Sequence, residues 1–447
     1  MFDKINKAIK SAKSKGADQV EIFAIKTISN KTCVRNQSIE ELKTSENIGF
    51  SVRVIKNKSL GFAFSSVWDK ESLSDTIDKA LKASQITTPD KYNLLPSLSK
   101  NNSIDASLLK LYDSEIINLS KQTRIGIAQE IESTAYKNKK ITKTEMVTFS
   151  DTNYEIFLAN SEGIKEHYQG TYCGGTAEVI AGTSDTASEA GFGIDYKTCL
   201  KDFDPQKVGK EAAKQASMML NAQSISTQKL SIVFSPIVSM DFLEVITPML
   251  LADNGLKGKS LLWQKEGETI ASAVISIIDN GCLPEAIGSA PFDGEGLPTQ
   301  ETVIIEKGIL KTFLYDYYSA LKAGRSSTGN SDRNGFMSLP RVGSHNIYFK
   351  PGAQSESEII NQIDNGFYVT KVMGMHTANP ISGDFSLGAS GLIIKKGQLD
   401  KPVCGVAIAG NLFSLLKQIV AVGSNLRFIL GIGAPTINVG ELTVSGT

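Results

Sequence analysis

Apolar positions recur at helical spacing from the first residues of the chain. Phe2, Ile5, Ala8, Ile9 and Ala12 fall on one face and predict an amphipathic first helix. Gly16 and Ala17 break that pattern, and a two-residue period follows, predicting strands over 19–27, 38–45, 49–54 and 58–65. Leu73, Ile77, Ala80 and Leu81 restore helical spacing over 70–83. The stretch 87–103, TTPDKYNLLPSLSKNNS, is rich in turn formers and carries two prolines, so it reads as a linker or surface loop. A long helix is predicted over 116–139, and alternating glycine-rich strands over 143–196.

Asp204 followed by Pro205 predicts another helix start, a capping carboxylate ahead of a first-turn proline. Val208, Ala212, Ala216 and Met219 continue it. The polar stretch 221–228 then marks a boundary, beyond which the chain turns β-rich with short helices, one of them over 409–420. The predicted fold is α+β in two domains: an α/β N-terminal domain over 1–222, including the 87–103 loop, and a mostly β C-terminal domain over 223–447.

Composition removes several functions. The 447 residues carry 47 Lys plus Arg against 47 Asp plus Glu, a formal net charge of zero. That balance argues against a chain whose main work is gripping nucleic acid or an anionic membrane. No apolar run approaches the roughly 20 residues that span a bilayer. The lysine-rich beginning, with Asp3, reads as a domain's first helix rather than a leader, and a cytoplasmic location is expected. Cys33, Cys173, Cys199, Cys282 and Cys404 are scattered, with no pair at metal-ribbon or redox spacing. Reduced, mostly buried thiols are expected.

Complete catalytic sets are missing. His167, His345 and His376 are the three histidines; none precedes a glutamate, and no two lie within helical reach, as a helical zinc site needs. A site assembled from distant residues, such as His167 with Cys173, stands as the alternative to ordinary strand and loop histidines. No serine occupies a Gly-x-Ser-x-Gly elbow. The stretch 253–260, DNGLKGKS, imitates a phosphate-binding loop, but Asp253 replaces the required first glycine. Asp241 and Glu244, one helical turn apart, read as a solvated face.

The C-terminal half carries a series of motifs in a fixed order: GILKTFLYDYYSA from Gly308, TGNSDR from Thr328, SGDFSLGASG from Ser382, IAGNL from Ile408 and IVAVG from Ile419. With NIGFSVRVIKNKSLGFAFSS within 21–64, this series resembles the TldD/PmbA (TldD/TldE) family, specifically its PmbA (TldE) branch, over nearly the whole chain. The resemblance implies a two-domain fold and a cytosolic heterodimer of a TldD-type and a PmbA-type subunit, acting as a zinc metallopeptidase on unfolded peptides. Modulator of DNA gyrase is an older name for the PmbA branch. In the TldD branch a strand leads into a helix bearing His-Glu-x-x-x-His, and a late cysteine adds a zinc ligand.

Carried onto this chain, that motif fails. The strand 230–234 leads into SPIVSM, which puts Ser235 at the first His, Pro236 at the Glu and Met240 at the second His. No cysteine follows Cys404, so the late position within 424–433 is empty. Ser235 instead suits an N-cap and Pro236 a first helical turn. No catalytic residue and no metal are therefore expected in this chain, with zinc held by a TldD-type partner, no direct nucleic-acid or membrane contact, and a homodimer open to the chain alone. Arg325, Thr328, Asn330, Arg333, Asp384, Ser386 and Ser390 are the candidate substrate-binding residues. Their loops either line a groove for an extended peptide or simply make tight turns; the arginines either hold a peptide carboxylate or pair across an interface. Two rival functions stand: an independent metallopeptidase around His167, Cys173 or His376, and a protein-binding regulator of a topoisomerase.

Overall fold

The computed structural model describes residues 1–97, 104–182 and 188–446. A six-stranded antiparallel sheet dominates the N-terminal domain. Its spatial order is Ser59–Ser65, Ser38–Lys56, Gln19–Arg35, Ile141–Asn160, Lys165–Ala181 and Glu189–Lys197. Successive side chains alternate between its faces. On one face Val20, Ile22, Ala24, Phe50, Val52 and Val54 meet the apolar stripe Ile5, Ala8, Ile9 and Ala12 of the helix Phe2–Ser14, together with Ile77 and Ala80 of the helix Lys70–Ser84. Further along the same face, Val34, Val147, Phe149 and Ala177 are covered by Ala128 and Ile131 of the helix Lys121–Tyr136 and by Val208 and Ala212 of the helix Pro205–Met218. The opposite face carries Glu21, Phe23, Ile25, Arg53, Ile156 and Tyr168, and the C-terminal domain docks there.

That C-terminal domain has two larger sheets around one core. One runs Ile309–Leu310, Glu301–Glu306, Ile277–Asn280, Ile347–Phe349, Ile432–Ala434, Arg427–Ile429. The other runs Gln398–Asn411, Asp384–Lys395, Asn365–Met373, Gln228–Phe234, Ile437–Ser445, Ala421–Val422. This second sheet closes on itself, because Ala407 and Ile408 pair with Ser445 and Val444, which leaves it fewer open edges. Phe234, Phe242, Phe313, Phe367 and Phe385 fill the shared core.

The α+β, two-domain prediction holds, and several element boundaries move. The predicted strands 38–45 and 49–54 are one strand, Ser38–Lys56, paired without interruption to Gln19–Arg35 as far as Cys33 and Glu41. Its first half, 38–48, is largely exposed, so the backbone pairs there while the side chains show no apolar alternation. The long helix predicted over 116–139 divides into Ser114–Ile117 and Lys121–Tyr136. Ser120 caps the second piece by accepting from Thr123 N at 3.0 Å. The helix predicted over 409–420 is strand up to Asn411 and helix only over Leu412–Gln418, where Asn411 accepts from Phe413 N and Ser414 N. Residues 98–103 of the predicted loop lie outside the described residues. The part before them packs as a strap: Leu95 is buried, its N donates to Gln19 Oε1, and Asn160 Nδ2 donates to Pro96 O.

Candidate functional site

The strand Gln228–Phe234 runs directly into the helix Pro236–Ile246. Ser235 stands between them as the N-cap, its Oγ accepting from Val238 N at 3.5 Å, while its own N donates to Val369 O at 3.0 Å. Pro236 takes the first turn, where its missing N–H costs nothing. Val238, Met240, Phe242, Leu243 and Ile246 face the core, with Phe242 stacked on Phe234 and edge-on to Phe385. The helix packs against the strand Ile432–Ala434, which overlaps the end of the 424–433 segment. Zinc is held by thiolate, imidazole or carboxylate groups at roughly 2.0–2.3 Å. Here the corresponding positions offer a capping hydroxyl, a proline and a thioether buried in apolar surroundings. The residues present do not fit zinc.

Other donors do not substitute for them. Among the described residues, no group of three His, Cys, Asp or Glu side chains could hold a metal ion. His167 pairs with Glu155 at 2.9 Å and stacks on Phe157; Cys173 lies six residues along the same strand, roughly 20 Å away. Burial, with Asp151 next in effect, pushes the Cys173 thiol up to about 12. His376 sits in a short turn, Met375–Thr377. The imitation phosphate loop is packing: Asp253 pairs with Lys257, Ser260 Oγ donates to Met249 O, and Trp263 lies against Gly255.

The seven candidate substrate-binding residues fall in separate places. Asp384, Ser386 and Ser390 alternate with buried Phe385, Leu387 and Ala389. They therefore lie on the face of their sheet away from the Pro236–Ile246 helix, which touches Phe385. Asp384 is tied to Asn411 Nδ2 at 2.9 Å, and the hydrogen bonds from Asn411 and Ser382 lower its pKa. Arg325 is exposed, 3.8 Å from Glu266. Thr328 and Asn330 are held inward. Thr328 Oγ1 accepts from Tyr315 N at 2.8 Å, and Asn330 Nδ2 donates to Asp279 Oδ2 at 2.6 Å. Asp279 also accepts from His345 N at 2.8 Å, and burial raises its pKa.

Arg333 has a role that no motif spacing foretold. Its Nη2 donates to Glu21, Glu21 accepts from Arg53 Nη2 at 2.7 Å, and Arg53 Nη1 donates to Glu295 at 2.9 Å. All four side chains are buried, and the chain of charges joins two strands of the N-terminal sheet to two loops of the C-terminal domain. Burial works to raise Glu21, but Arg333 and Arg53 outweigh it and hold the carboxyl below its ordinary value. Burial and the neighbouring Glu295 push Asp293 up to about 8, against backbone N–H bonds from Glu295, Ser331 and Leu297. The one trace of this junction in the sequence is a charged residue inside each of two apolar strands, in VEIF and VRVI; Glu21 and Arg53 are direct register partners. Arg427, within 424–433, makes a second clasp, donating to Glu211 of the Pro205–Met218 helix and to Ile194 O.

Beside the Arg333 chain the two domains enclose a cleft of about 250 Å³, walled by Phe23, Ile25, Tyr168 and Phe292 and by the 331–333 segment. On the N-terminal sheet a Cβ at Gly49 would stand 2.3 Å from Phe336 Cζ; the glycine lets that ring lie on the sheet.

Comparisons with known proteins agree with this architecture. The chain matches family models of PmbA/TldA metallopeptidase domain 1 over residues 20–84, the central domain over 114–220 and the C-terminal domain over 227–446. Strands from the first two stretches form the single N-terminal sheet. A metalloprotease PmbA homologue from Haemophilus influenzae is 27% identical over 446 residues, covering 98% of this chain and 94% of the relative. A Thermotoga maritima crystal structure, named as a candidate modulator of a DNA gyrase, superposes with a TM-score of 0.91 at 26% identity, covering 99% of this chain and all of the other. TldE from Thermococcus kodakarensis shares the fold at TM-score 0.89 and 24% identity, over 99% of this chain and 100% of its own.

Proposed function

The chain belongs to the PmbA/TldA metallopeptidase family, and from that premise we propose that it is the non-catalytic, PmbA/TldE-type subunit of a heterodimeric zinc peptidase. One observation carries the reading: the helix that would bear the metal site is kept, while Ser235 caps it, Pro236 starts it and Met240 packs beneath it. The zinc and the general base then belong to a TldD-type partner. This subunit completes the substrate cavity for unfolded peptides, and the assembly works in the cytoplasm. No helix among the described residues is long and apolar enough to cross a membrane, which accords with that location.

The test is a native mass spectrum of the purified chain in zinc-containing buffer, followed by mixing with a TldD-type chain and a peptidase assay. The expected result is a metal-free polypeptide, monomer or homodimer, that forms a heterodimer on mixing and has peptidase activity only then. One zinc per chain surviving mild chelation, with activity in the chain alone, would overturn the proposal.

A further inference from the structure

The N-terminal sheet has its outer backbone groups occupied at both ends of the strand order, and bare at one step between. Along Ser59–Ser65, Asp90 N and Asn93 Nδ2 donate to Lys58 O, and Thr87 Oγ1 donates to Leu60 O. At the far edge, Phe192 N donates to Gln215 Oε1 and Ile194 O accepts from Arg427 Nη2. But Ser59–Ser65 stops opposite Phe50, while its neighbour Ser38–Lys56 runs on towards Ser38 with no strand beside it.

The turn at 57–58 fixes which backbone groups are left over. Asn57 and Lys58 have φ of 49° and 64°, the two-residue hairpin turn that closes on a hydrogen-bonded pair, here Lys56 with Ser59. Every second residue from there, Val54, Val52 and Phe50, aims its N–H and C=O at the Ser59–Ser65 strand. The register with Gln19–Arg35 is unbroken as far as Cys33 and Glu41, so Ile48, Glu46, Thr44 and Leu42 aim theirs the same way. Among the described residues no hydrogen bond meets them there.

A long bare edge is a template for another strand, and proteins blunt such edges with proline, bulges or charge. The stretch 42–48 has no proline, and its bulge lies just outside it, at Glu40. The nearby carboxylates are already paired within their own sheet, Glu46 with Lys26 at 3.0 Å and Glu41 with Lys31 at 2.8 Å.

The stretch is also its own complement. Turned about a two-fold axis at Ser45, a second copy sets Leu42 opposite Ile48 and Thr44 opposite Glu46, so every outward group on both chains meets a partner. On the other face Lys43 meets Asn47. The Glu40 bulge then falls opposite Phe50, where Ser65 already fills the edge and the copy must turn away. Other axes fit worse. At Lys43 or Glu46 that residue would face its own like charge, which destabilises a sheet. At Leu42 or Thr44 the bulge would stand opposite Thr44 or Ile48 and break the ladder.

We propose that a second copy of this chain adds here as an antiparallel strand, joining two N-terminal sheets into one across a two-fold axis at Ser45. The inference concerns the chain alone and goes beyond its reading as a peptidase subunit.

The test uses the full chain without a partner. Sedimentation equilibrium should give twice the mass of the chain. Thr44→Pro removes an outward N–H where an edge strand tolerates proline, and should return the protein to one chain mass, with circular dichroism showing that it folds. Ser45→Cys reads the register separately. Directly opposite residues outside the hydrogen-bonded pairs have Cα atoms about 4.5 Å apart, within disulfide reach. Mild oxidation should therefore link the Ser45→Cys protein into covalent dimers. Lys43→Cys, roughly 14 Å from its copy in this register, should stay unlinked like the parent. The proposal fails if the parent stays monomeric at every concentration reached, if folded Thr44→Pro remains a dimer, or if Lys43→Cys links as readily as Ser45→Cys. A monomeric parent that still joins a TldD-type protein overturns only this inference. An edge dimer that never joins one overturns only the subunit reading.

Discussion

The Pro236–Ile246 helix and the domain junction around Arg333 hold opposite kinds of chemistry in one chain. The helix stands where the proposal would put a catalytic element, and it carries almost no polarity: a capping serine, a proline, and a buried row from Val238 to Ile246. The junction lies on loops and strand faces, yet it gathers four ionised side chains, each no more than 6% exposed. The contrast teaches that keeping a scaffold is separate from keeping its chemistry. A helix can lose its ligands and survive as core, because apolar replacements pack at least as well. Buried charges cannot be lost singly, because each one is solvated by its neighbours.

The sharpest way to break this contrast is Glu21→Gln. It leaves Arg53 and Arg333 buried without their shared carboxylate, and removing one member of a buried pair costs about 3–5 kcal/mol. Urea unfolding at pH 7 should show that loss; a change below about 1 kcal/mol would make the junction an ordinary surface pairing. The acid side gives a second signature. Glu21 is lowered in the fold, so its contribution is full above the unfolded value near 4.5 and disappears as pH falls through the folded one. The parent should lose stability through that acid window, and Glu21→Gln should lose less.

On the helix the expected effects are those of packing. Met240→Ala should cost about 2–5 kcal/mol, the range for emptying a buried site, whereas Met240→Leu should cost less than about 1.5 kcal/mol. Under the subunit proposal, Met240→Leu should also leave partner-dependent peptidase activity unchanged. Loss of activity in a stable Met240→Leu protein would return the helix to the chemistry. Ser235→Ala should cost about 1 kcal/mol or less, because cap removal falls near that value and this bond is long at 3.5 Å.

Much of the fold could be read from the chain where burial wrote a period into it. The stripe Ile5, Ala8, Ile9, Ala12 and the Asp204–Pro205 helix start are local signals, and both are present in the structure. The ribbon over Ser38–Lys56 reads as two strands because its exposed first half, 38–48, carries no apolar alternation; the backbone ladder shows that it is continuous. At the candidate site, the serine, proline and methionine of the helix were legible from residue type alone, while Arg333 was not. Its partner Glu21 lies 312 residues away, and no local pattern encodes a pairing made by docking two domains. The same holds for Asn330, whose side chain is committed to Asp279 far back in the sequence.

Asp241 offers the finest test, because it is the acidic residue beside Met240 on the same helix. It is half-buried while Glu244, one turn on, is exposed. Burial first, and then the Glu244 carboxylate, raise it to about 6, so the fold favours its protonated form more than the unfolded chain does. Between the unfolded value of 3.8 and about 6, the folded protein therefore holds more protons, and this group's contribution to stability falls as pH rises, levelling off above that window. Asp241→Asn removes the fall. Its advantage over the parent should be absent near pH 3.5 and should grow to about 1 kcal/mol at pH 7.5. That is well below the full conversion of the shift, because solvent screens a group that remains partly open. Urea unfolding of the two proteins at both pH values measures the difference directly, and the contributions of Glu21 and Asp293 cancel in it. Equal stability at pH 7.5 would mean that the Asp241 carboxylate is fully solvated, so that this edge of the helix faces water and not the core.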